Sequence, residues 1–139
     1  MVSAKFLHRS GTATVEFAII APLLVLVLMG MFEVTRAIQV KNYLTDAARS
    51  SCRIAIQPGT NNQSVQNQIN AVLTNNGLPM ASAKTTILVN GNAVDVNTAN
   101  KYDQISVKIS IPISQASWVS LFYFTSAEVE SENMTMMHL

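Results

Sequence analysis

The chain has one cysteine and two histidines, and these shortages exclude several classes of protein. Cys52 has no partner within the chain, so an intrachain disulfide is impossible. It either pairs with another chain in an oxidising compartment or packs as a small apolar residue on a helix face, and we favour packing. His8 and His138 stand at opposite ends of the sequence. Metal-ligand spacing, a glycine-rich phosphate loop and a nucleophile with a plausible base are all lacking, so we expect no enzyme, cofactor or metal site.

Charged residues are also scarce, at 12% of the chain, about half the usual share of a soluble domain. The formal net charge is +1 and no basic stripe is present, which argues against nucleic acid as a partner. Six of the nine Lys and Arg residues lie at or before Arg53, and residues 54–83 carry no charge. The 139 residues are enough for one domain, and that domain is smaller still if part of the chain forms a membrane segment.

Residues 17–32 form an apolar run of sixteen residues without a charge. As a helix they reach about 24 Å, short of a hydrocarbon core of ~30 Å. Including Val34 and letting Arg36 snorkel extends the predicted transmembrane segment to residues 17–34. Lys5 and Arg9 precede the run, which places the N-terminus in the cytoplasm and the remainder outside. Pro22 predicts a helix kink within the segment.

A cleavable secretory signal explains this region less well than a membrane helix does. The flank after the run, Met31–Arg36, has no Ala-x-Ala site, and the small residues lie before the run instead. Glu16 is also unusual, because an acid at the entry to an apolar segment is costly. It either complements the positive end of the helix or pairs with a specific cation, and we favour the cation.

The residues from Gly11 to Phe17 read Gly-Thr-Ala-Thr-Val-Glu-Phe, which resembles the prepilin-peptidase site of type IV pilin-like proteins. Together with Ala-Pro-Leu-Leu at 21–24 and Leu-Thr-Asp-Ala-Ala-Arg at 44–49, this order resembles the TadE-like family of pseudopilins from the tight-adherence (Flp) pilus machinery. The resemblance covers roughly residues 10–55. The family often has tyrosine after the glutamate, where this chain has Phe17.

The resemblance implies a minor pilin or pseudopilin in the bacterial inner membrane that is trimmed and then assembled into a pilus. A prepilin peptidase would cut between Gly11 and Thr12 and remove residues 1–11 as a basic leader. Glu16 would then pair with the new N-terminal amine, commonly of a neighbouring subunit, and Phe17 would complete the recognition motif. The implied partners are the peptidase, other pilin or pseudopilin subunits, the inner-membrane assembly platform and, before assembly, membrane lipid. The implied roles are adherence or secretion.

Beyond the membrane, the apolar period predicts that the helix continues to about residue 56, giving a helical segment over residues 12–57. The predicted buried positions share a mostly 3.6-residue spacing; they are Val34, Ala37, Ile38, Leu44, Ala47, Ala48, Cys52 and Ala55. Asp46 and Arg49 are spaced to form an ion pair. A second helix is predicted over residues 62–76, stopped by Gly77.

Strand signals fill the remainder, so residues 58–139 are predicted to form a small extracytoplasmic α+β domain with an antiparallel sheet. Residues 85–89 and 92–96 predict a hairpin around a type I′ Asn-Gly turn. Residues 105–113 alternate strictly as one strand, and Pro112 marks its end. A last strand is predicted near residues 127–136, with a bulge or an end of pairing near Asn133.

Two side-chain groups in this domain leave alternatives open. Glu128, Glu130 and Glu132 share one strand face, which we interpret as solvated, although a cation site or a contact with another subunit also fits. The aromatic residues form either a core plug against the long helix, which we favour, or a contact for a partner subunit; they are Trp118, Phe122, Tyr123 and Phe124. The main alternative to a pilin-like role is a permanent single-pass membrane protein with an outer binding domain. A secreted hydrolase behind a signal peptide is the third hypothesis.

Overall fold

A long helix, a short helix and an antiparallel sheet follow one another along the chain. The computed structural model describes residues 9–116 and 128–139. Its elements are the helices α1 (Arg9–Ala55) and α2 (Asn62–Asn75), the strands β1 (Lys84–Val89) and β2 (Gln104–Pro112), a helical turn (Ile113–Ala116), and the strands β3 (Glu128–Glu130) and β4 (Met134–Met137). Short 3-10 turns occupy Met80–Ser82 and Val96–Thr98. The predicted α+β class is confirmed. The predicted aromatic cluster at 118 and 122–124 lies outside the described residues.

The chain divides into two compact units, which we call the N-terminal unit (up to Val34) and the C-terminal unit (Thr35–Leu139). In the N-terminal unit every residue from 11 to 20 is exposed, although most are apolar. By length and composition α1 can cross a membrane, because its most apolar window has a mean hydropathy of 2.5 and is 0% buried. The helix continues through Pro22.

From Thr35 onward α1 buries one face. The positions of that face recur at helical spacing and are 0% exposed; they are Val40, Leu44, Ala47, Ala48, Cys52 and Ala55, with Ser51 among them. The predicted face was wrong at Val34 and Ile38, which are 59% and 56% exposed. Ile38 lies two residues before Val40, about 200° around the helix, so it points to the opposite side. The sequence prediction also missed Val40.

Small side chains on that face let the sheet approach α1 closely. The Sγ atom of Cys52 lies 3.6 Å from the carbonyl oxygens of Ile105 and Met134, at the boundary of β2 and β4. The thiol is buried, so it packs in the core as expected. Pairing it with another chain would require the core to open.

Helix α2 follows its predicted limits within one residue, because both of its ends carry clear signals. The side chain of Asn61 caps the start by accepting from the Ser64 N–H at 2.9 Å. At the end, Gly77 has φ +67, and the Leu78 N–H bonds to the Leu73 carbonyl at 2.9 Å in a Schellman motif. The buried face comprises Val65, Ile69 and Leu73.

Strand β2 forms the centre of the sheet. Strand β1 pairs with one edge of it, from Lys84 opposite Ser110 to Val89 opposite Ile105, and β3 and β4 pair with the other edge. The alternation predicted for β2 is confirmed, since its inward side chains are 0% exposed: Ile105, Val107, Ile109 and Ile111.

A bulge separates β3 from β4. Ser110 lies opposite Glu130 and Val107 opposite Met134, so three residues on the outer strand face two on β2. The ladder is bridged by Ser131, whose N–H donates to the Ile109 carbonyl at 2.8 Å and whose hydroxyl accepts from the Ile109 N–H at 3.0 Å. The predicted interruption near Asn133 is confirmed, and it turns Met134 inward.

The predicted hairpin is half right. Asn90 and Gly91 have φ of +51 and +83, as a type I′ turn requires, and Val89 bridges Asn92. However, residues 93–96 do not continue as a strand on β1. Asp95 and Asn62 bind this segment to the start of α2 instead, and Val96 is buried at 1% exposure. Strand β1 takes β2 as its partner.

Candidate functional site

The site predicted from sequence lies at the start of α1, within the N-terminal unit. Gly11, Thr12, Glu16 and Phe17 all belong to α1, and all four are exposed. A Cβ atom added at Gly11 would meet nothing within 4 Å. Packing within the described chain therefore does not require glycine at position 11. If glycine is required there, the requirement comes from a molecule that binds this segment.

Thr12 and Glu16 are four residues apart, so they occupy the same face of α1, about 6 Å apart along its axis. This spacing places the Glu16 carboxylate within side-chain reach of the backbone nitrogen of Thr12. Phe17 is 68% exposed and stands at the first position of the apolar run. The helix thus presents an acid and an aromatic ring at consecutive positions where the apolar run begins.

Behind this site α1 exposes an almost continuous apolar surface. Its large apolar side chains are exposed by 40–75%, and they include Ile19, Ile20, Leu23, Leu24, Leu26, Met31 and Phe32. A surface of this size is not stable in water, since monomeric soluble proteins rarely expose more than a few hundred Å² of contiguous apolar area. It can be covered by lipid or by other apolar helices.

The acidic residues of β3 lie on the outer face of the sheet in ion pairs. Glu128 pairs with Lys84 of β1, and Glu130 pairs with Lys108 of β2 at 2.7 Å. The hydrogen bond from Lys84, followed by one from Ser110, lowers the pKa of the Glu128 carboxyl below its ordinary value. Within residues 9–116 and 128–139 no three acids, histidines or cysteines are grouped as a metal site would require. These glutamates act as partners of lysines within their own sheet.

Asp103 organises a polar network that sequence reasoning missed. Its carboxylate accepts from the Asn100 N–H at 2.7 Å and from the Asn90 side chain at 2.8 Å. The backbone bond from Asn100 and then the Asn90 bond lower the pKa of Asp103, and the charge of His138 adds to the effect. The sequence signal for this network is Asp103 itself, because an aspartate in a turn can accept a hydrogen bond from the backbone N–H of a residue a few positions earlier.

An open groove of about 470 Å³ runs along the outer edge of β1. Residues 85–87 form one wall, and Asn62, Gln63, Gln66 and residues 93–94 form the other. From sequence alone, the Asn/Gln-rich face of α2 is interpreted as plain solvation. The sequence signal that this interpretation missed is Asp95, which precedes a turn and can accept backbone hydrogen bonds.

The comparison with protein families found a match over most of α1. The model described as TadE-like protein matches residues 11–53, beginning at the predicted cleavage glycine and ending two residues before α1 does. The matched segment is 43 of 139 residues, so the match concerns α1 rather than the sheet. No curated protein and no solved structure matches the chain. The resemblance drawn from the sequence is confirmed over this segment.

Proposed function

We propose, from the premise that residues 11–53 form a TadE-like segment, that this chain is a minor pilin or pseudopilin of a tight-adherence (Flp) pilus. It is made as a single-pass inner-membrane precursor with its N-terminus in the cytoplasm. A prepilin peptidase cuts it between Gly11 and Thr12, and the trimmed chain assembles through α1. The observation that carries this proposal is the family match, which starts at Gly11 and covers nearly all of α1.

The exposure of α1 supports a membrane-inserted precursor. Residues 11–20 are exposed on all sides, and the mean hydropathy of the best window is 2.5. At about 25 cal/mol per Å², transfer of this apolar surface from water to lipid is strongly favourable. Lipid covers this surface before assembly, and neighbouring helices cover it afterwards.

The surroundings of Gly11 support cleavage there, because a peptidase can approach this backbone without displacing another part of the described chain. Gly11 is also exposed and has no side chain to obstruct an approaching enzyme. Removal of the leader takes away Lys5 and Arg9, and the formal charge of the chain falls from +1 to −1.

Cleavage gives Glu16 a partner. The new ammonium group at Thr12 lies four residues before Glu16 on the same face of α1. In a low-dielectric bundle an unpaired carboxylate is expensive, whereas a carboxylate that pairs with an ammonium is tolerated. The pair forms within one chain or between neighbouring chains in the fibre. Either arrangement makes assembly depend on cleavage.

We propose a structural role for this protein, primer or minor component of a fibre, rather than an enzymatic one. Bulk pilins of this type are expected to be much shorter, whereas this chain adds the sheet and α2. The assembled fibre serves adherence or secretion, and its partners are other pilin-like subunits and the inner-membrane assembly platform.

Two substitutions at the site test the proposal in cells that contain the peptidase. Gly11→Ala is expected to block processing and leave the Met1 start, although the structure has space for the methyl group. Ser10→Ala is the matched control and is expected to be processed normally. Normal processing of Gly11→Ala contradicts the assigned cut site.

Glu16 requires a separate readout, because its role follows cleavage. Glu16→Ala and the isosteric Glu16→Gln are expected to be processed normally but to be lost from sheared pili, since neither can pair with the Thr12 amine. Glu16→Asp retains the charge and is expected to recover part of the incorporation. Full incorporation of Glu16→Gln contradicts the ion-pair role. If the chain is instead a permanent membrane protein, none of these variants changes its length or location.

A further inference from the structure

The backbone hydrogen bonds of β1 alternate between its two edges. Val89 exchanges bonds with Asn92 across the turn, at 2.8 and 2.9 Å, whereas the Asn90 N–H bonds to Gln104 of β2 at 2.8 Å. In an antiparallel strand the N–H and C=O of one residue point to the same edge, and successive residues alternate. Thr85 and Ile87 therefore direct both of their backbone groups away from β2. In the described part of the chain, no residue bonds to these four groups.

The natural partners of these groups are bound elsewhere. If the hairpin continued in register past Val89 and Asn92, Ile87 would pair with Val94 and Thr85 with Val96. Instead, the side chain of Asn62 binds both Val94 and Val96. Its Nδ2 donates to the Val94 carbonyl at 3.4 Å, and its Oδ1 accepts from the Val96 N–H at 3.1 Å. The side-chain amide of Asn62 thus binds the two backbone groups that the edge of β1 would otherwise bind.

Asp95 and Val96 hold this arrangement in place. One carboxylate oxygen of Asp95 accepts from the N–H groups of Asn62 at 3.2 Å and Asn97 at 3.0 Å. The side chain of Val96 is 1% exposed, so it is anchored in the core. Residues 93–96 cannot close onto β1 without breaking these bonds. Among residues 9–116 and 128–139, no strand therefore pairs with this edge of β1.

The groove beside this edge suits a neutral, extended chain. None of its lining residues carries a charge, and the walls offer amides, hydroxyls and small apolar side chains. The Thr85 hydroxyl is buried there with no partner among the described residues. A peptide backbone supplies neutral donors and acceptors at every second residue, about 6.8 Å apart, which matches Thr85 and Ile87. A charged ligand would lose its hydration without gaining a partner.

We propose that this edge, at Thr85 and Ile87, is a binding site for an extended, uncharged segment of a partner polypeptide, which adds to the sheet as a strand. A lone segment fits because α2 and residues 93–94 wall the groove. A second copy of this chain would bring the same walls along its own β1, and the two sets would collide. The proposal does not depend on cleavage at Gly11 or on assembly into a pilus.

The test measures amide hydrogen exchange in the 15N-labelled full chain in detergent micelles. The probe is the capped peptide Ac-Thr-Val-Thr-Val-Thr-NH2, and the control is the same peptide N-methylated at every residue, which cannot donate. We expect the probe to slow exchange of the Thr85 and Ile87 amides at least about tenfold. Thr86, whose N–H points towards β2, should not change, and the methylated peptide should have no effect.

Three results would overturn the proposal. The first is unchanged exchange at about 10 mM probe, well above a millimolar dissociation constant. The second is equal slowing by the methylated peptide, which would indicate side-chain adsorption rather than strand addition. The third is slow exchange of Thr85 and Ile87 without any peptide; another segment of the same chain then occupies the edge if this is independent of protein concentration, and a second copy does if it is not.

A double variant tests the roles of Asn62 and Asp95 independently. Asn62→Ala combined with Asp95→Ala removes the side-chain bonds that hold residues 93–96 away from β1, so these residues are expected to pair with β1 and to protect Thr85 and Ile87 without the probe. Gln63→Ala is the matched control, because Gln63 lines the same groove but bonds to Asn67 at 3.0 Å. Exchange at β2 reports whether each variant is folded. An edge that stays open and binds the probe in the double variant contradicts the role assigned to Asn62 and Asp95.

Discussion

Replacing Leu44 with alanine tests whether residues 35–55 of α1 form the core of the C-terminal unit. Leu44 is 0% exposed and belongs to the buried face that contacts the sheet and α2. The substitution removes three buried carbon atoms, which costs about 2 kcal/mol in transfer free energy. The residual cavity raises the expected loss of stability to about 3 kcal/mol.

Hydrogen exchange of the β2 amides provides the assay, because these amides lie across the sheet core from α1. If they exchange through global unfolding, a loss of about 3 kcal/mol speeds their exchange by roughly a hundredfold. Ile38→Ala is the control: it removes a side chain of the same size from the same helix, but Ile38 is 56% exposed. We expect that variant to stay within about 0.5 kcal/mol of the parent. Equal effects of the two variants would refute the assigned core face.

Three further predictions concern the C-terminal unit. Gly77→Ala should destabilise it by about 1 kcal/mol in denaturant unfolding, because φ is +67 there although nothing crowds a Cβ; no measurable loss would contradict the Schellman end of α2. Lys108→Ala should cost no more than about 1 kcal/mol, since its ion pair with Glu130 is exposed, and a larger loss would mean that the pair is desolvated. The pKa of Asp103 is lowered in the fold, so its contribution is complete above about pH 4, the ordinary value, and is lost as pH falls through the folded pKa. Asp103→Asn should therefore flatten the acid side of a stability–pH curve, and an unchanged curve would contradict the role assigned to Asp103.

Periodicity and capping signals predicted the regular elements well. Helix α2 was predictable because Asn61 and Gly77 mark its ends, and β2 because its isoleucines and valine alternate strictly. The bulge near Asn133 followed from a parity conflict: in one register Glu128, Glu130 and Met134 would share a face, although the glutamates are charged and Met134 is apolar. In each case a local pattern and the tertiary structure require the same conformation.

The errors occurred where a tertiary contact overrode a local preference. The Asn-Gly turn at 90–91 formed as predicted, but a hairpin also requires the residues after the turn to pair, and Asn62, some thirty residues earlier, binds that segment. No local pattern reports so distant a competitor. Likewise, the period of α1 could not distinguish Ile38 from Val40, because both residues are apolar although only Val40 faces the core.

The N-terminal site could be recognised from sequence because its chemistry is local. Gly11, Glu16 and Phe17 are defined by their spacing along one helix, and the structure adds that they are exposed and that Thr12 shares a face with Glu16. The groove along β1 could not be recognised in this way. It depends on backbone groups at one strand edge to which no described residue bonds, and this is a property of the folded backbone.

The intact mass of the membrane-extracted protein, from cells with and without prepilin peptidase, tests the central claim most directly. The proposed processing predicts a chain that starts at Thr12 when the peptidase is present and at Met1 when it is absent. A Met1 start in both cells, or a start beyond Gly30, would contradict it.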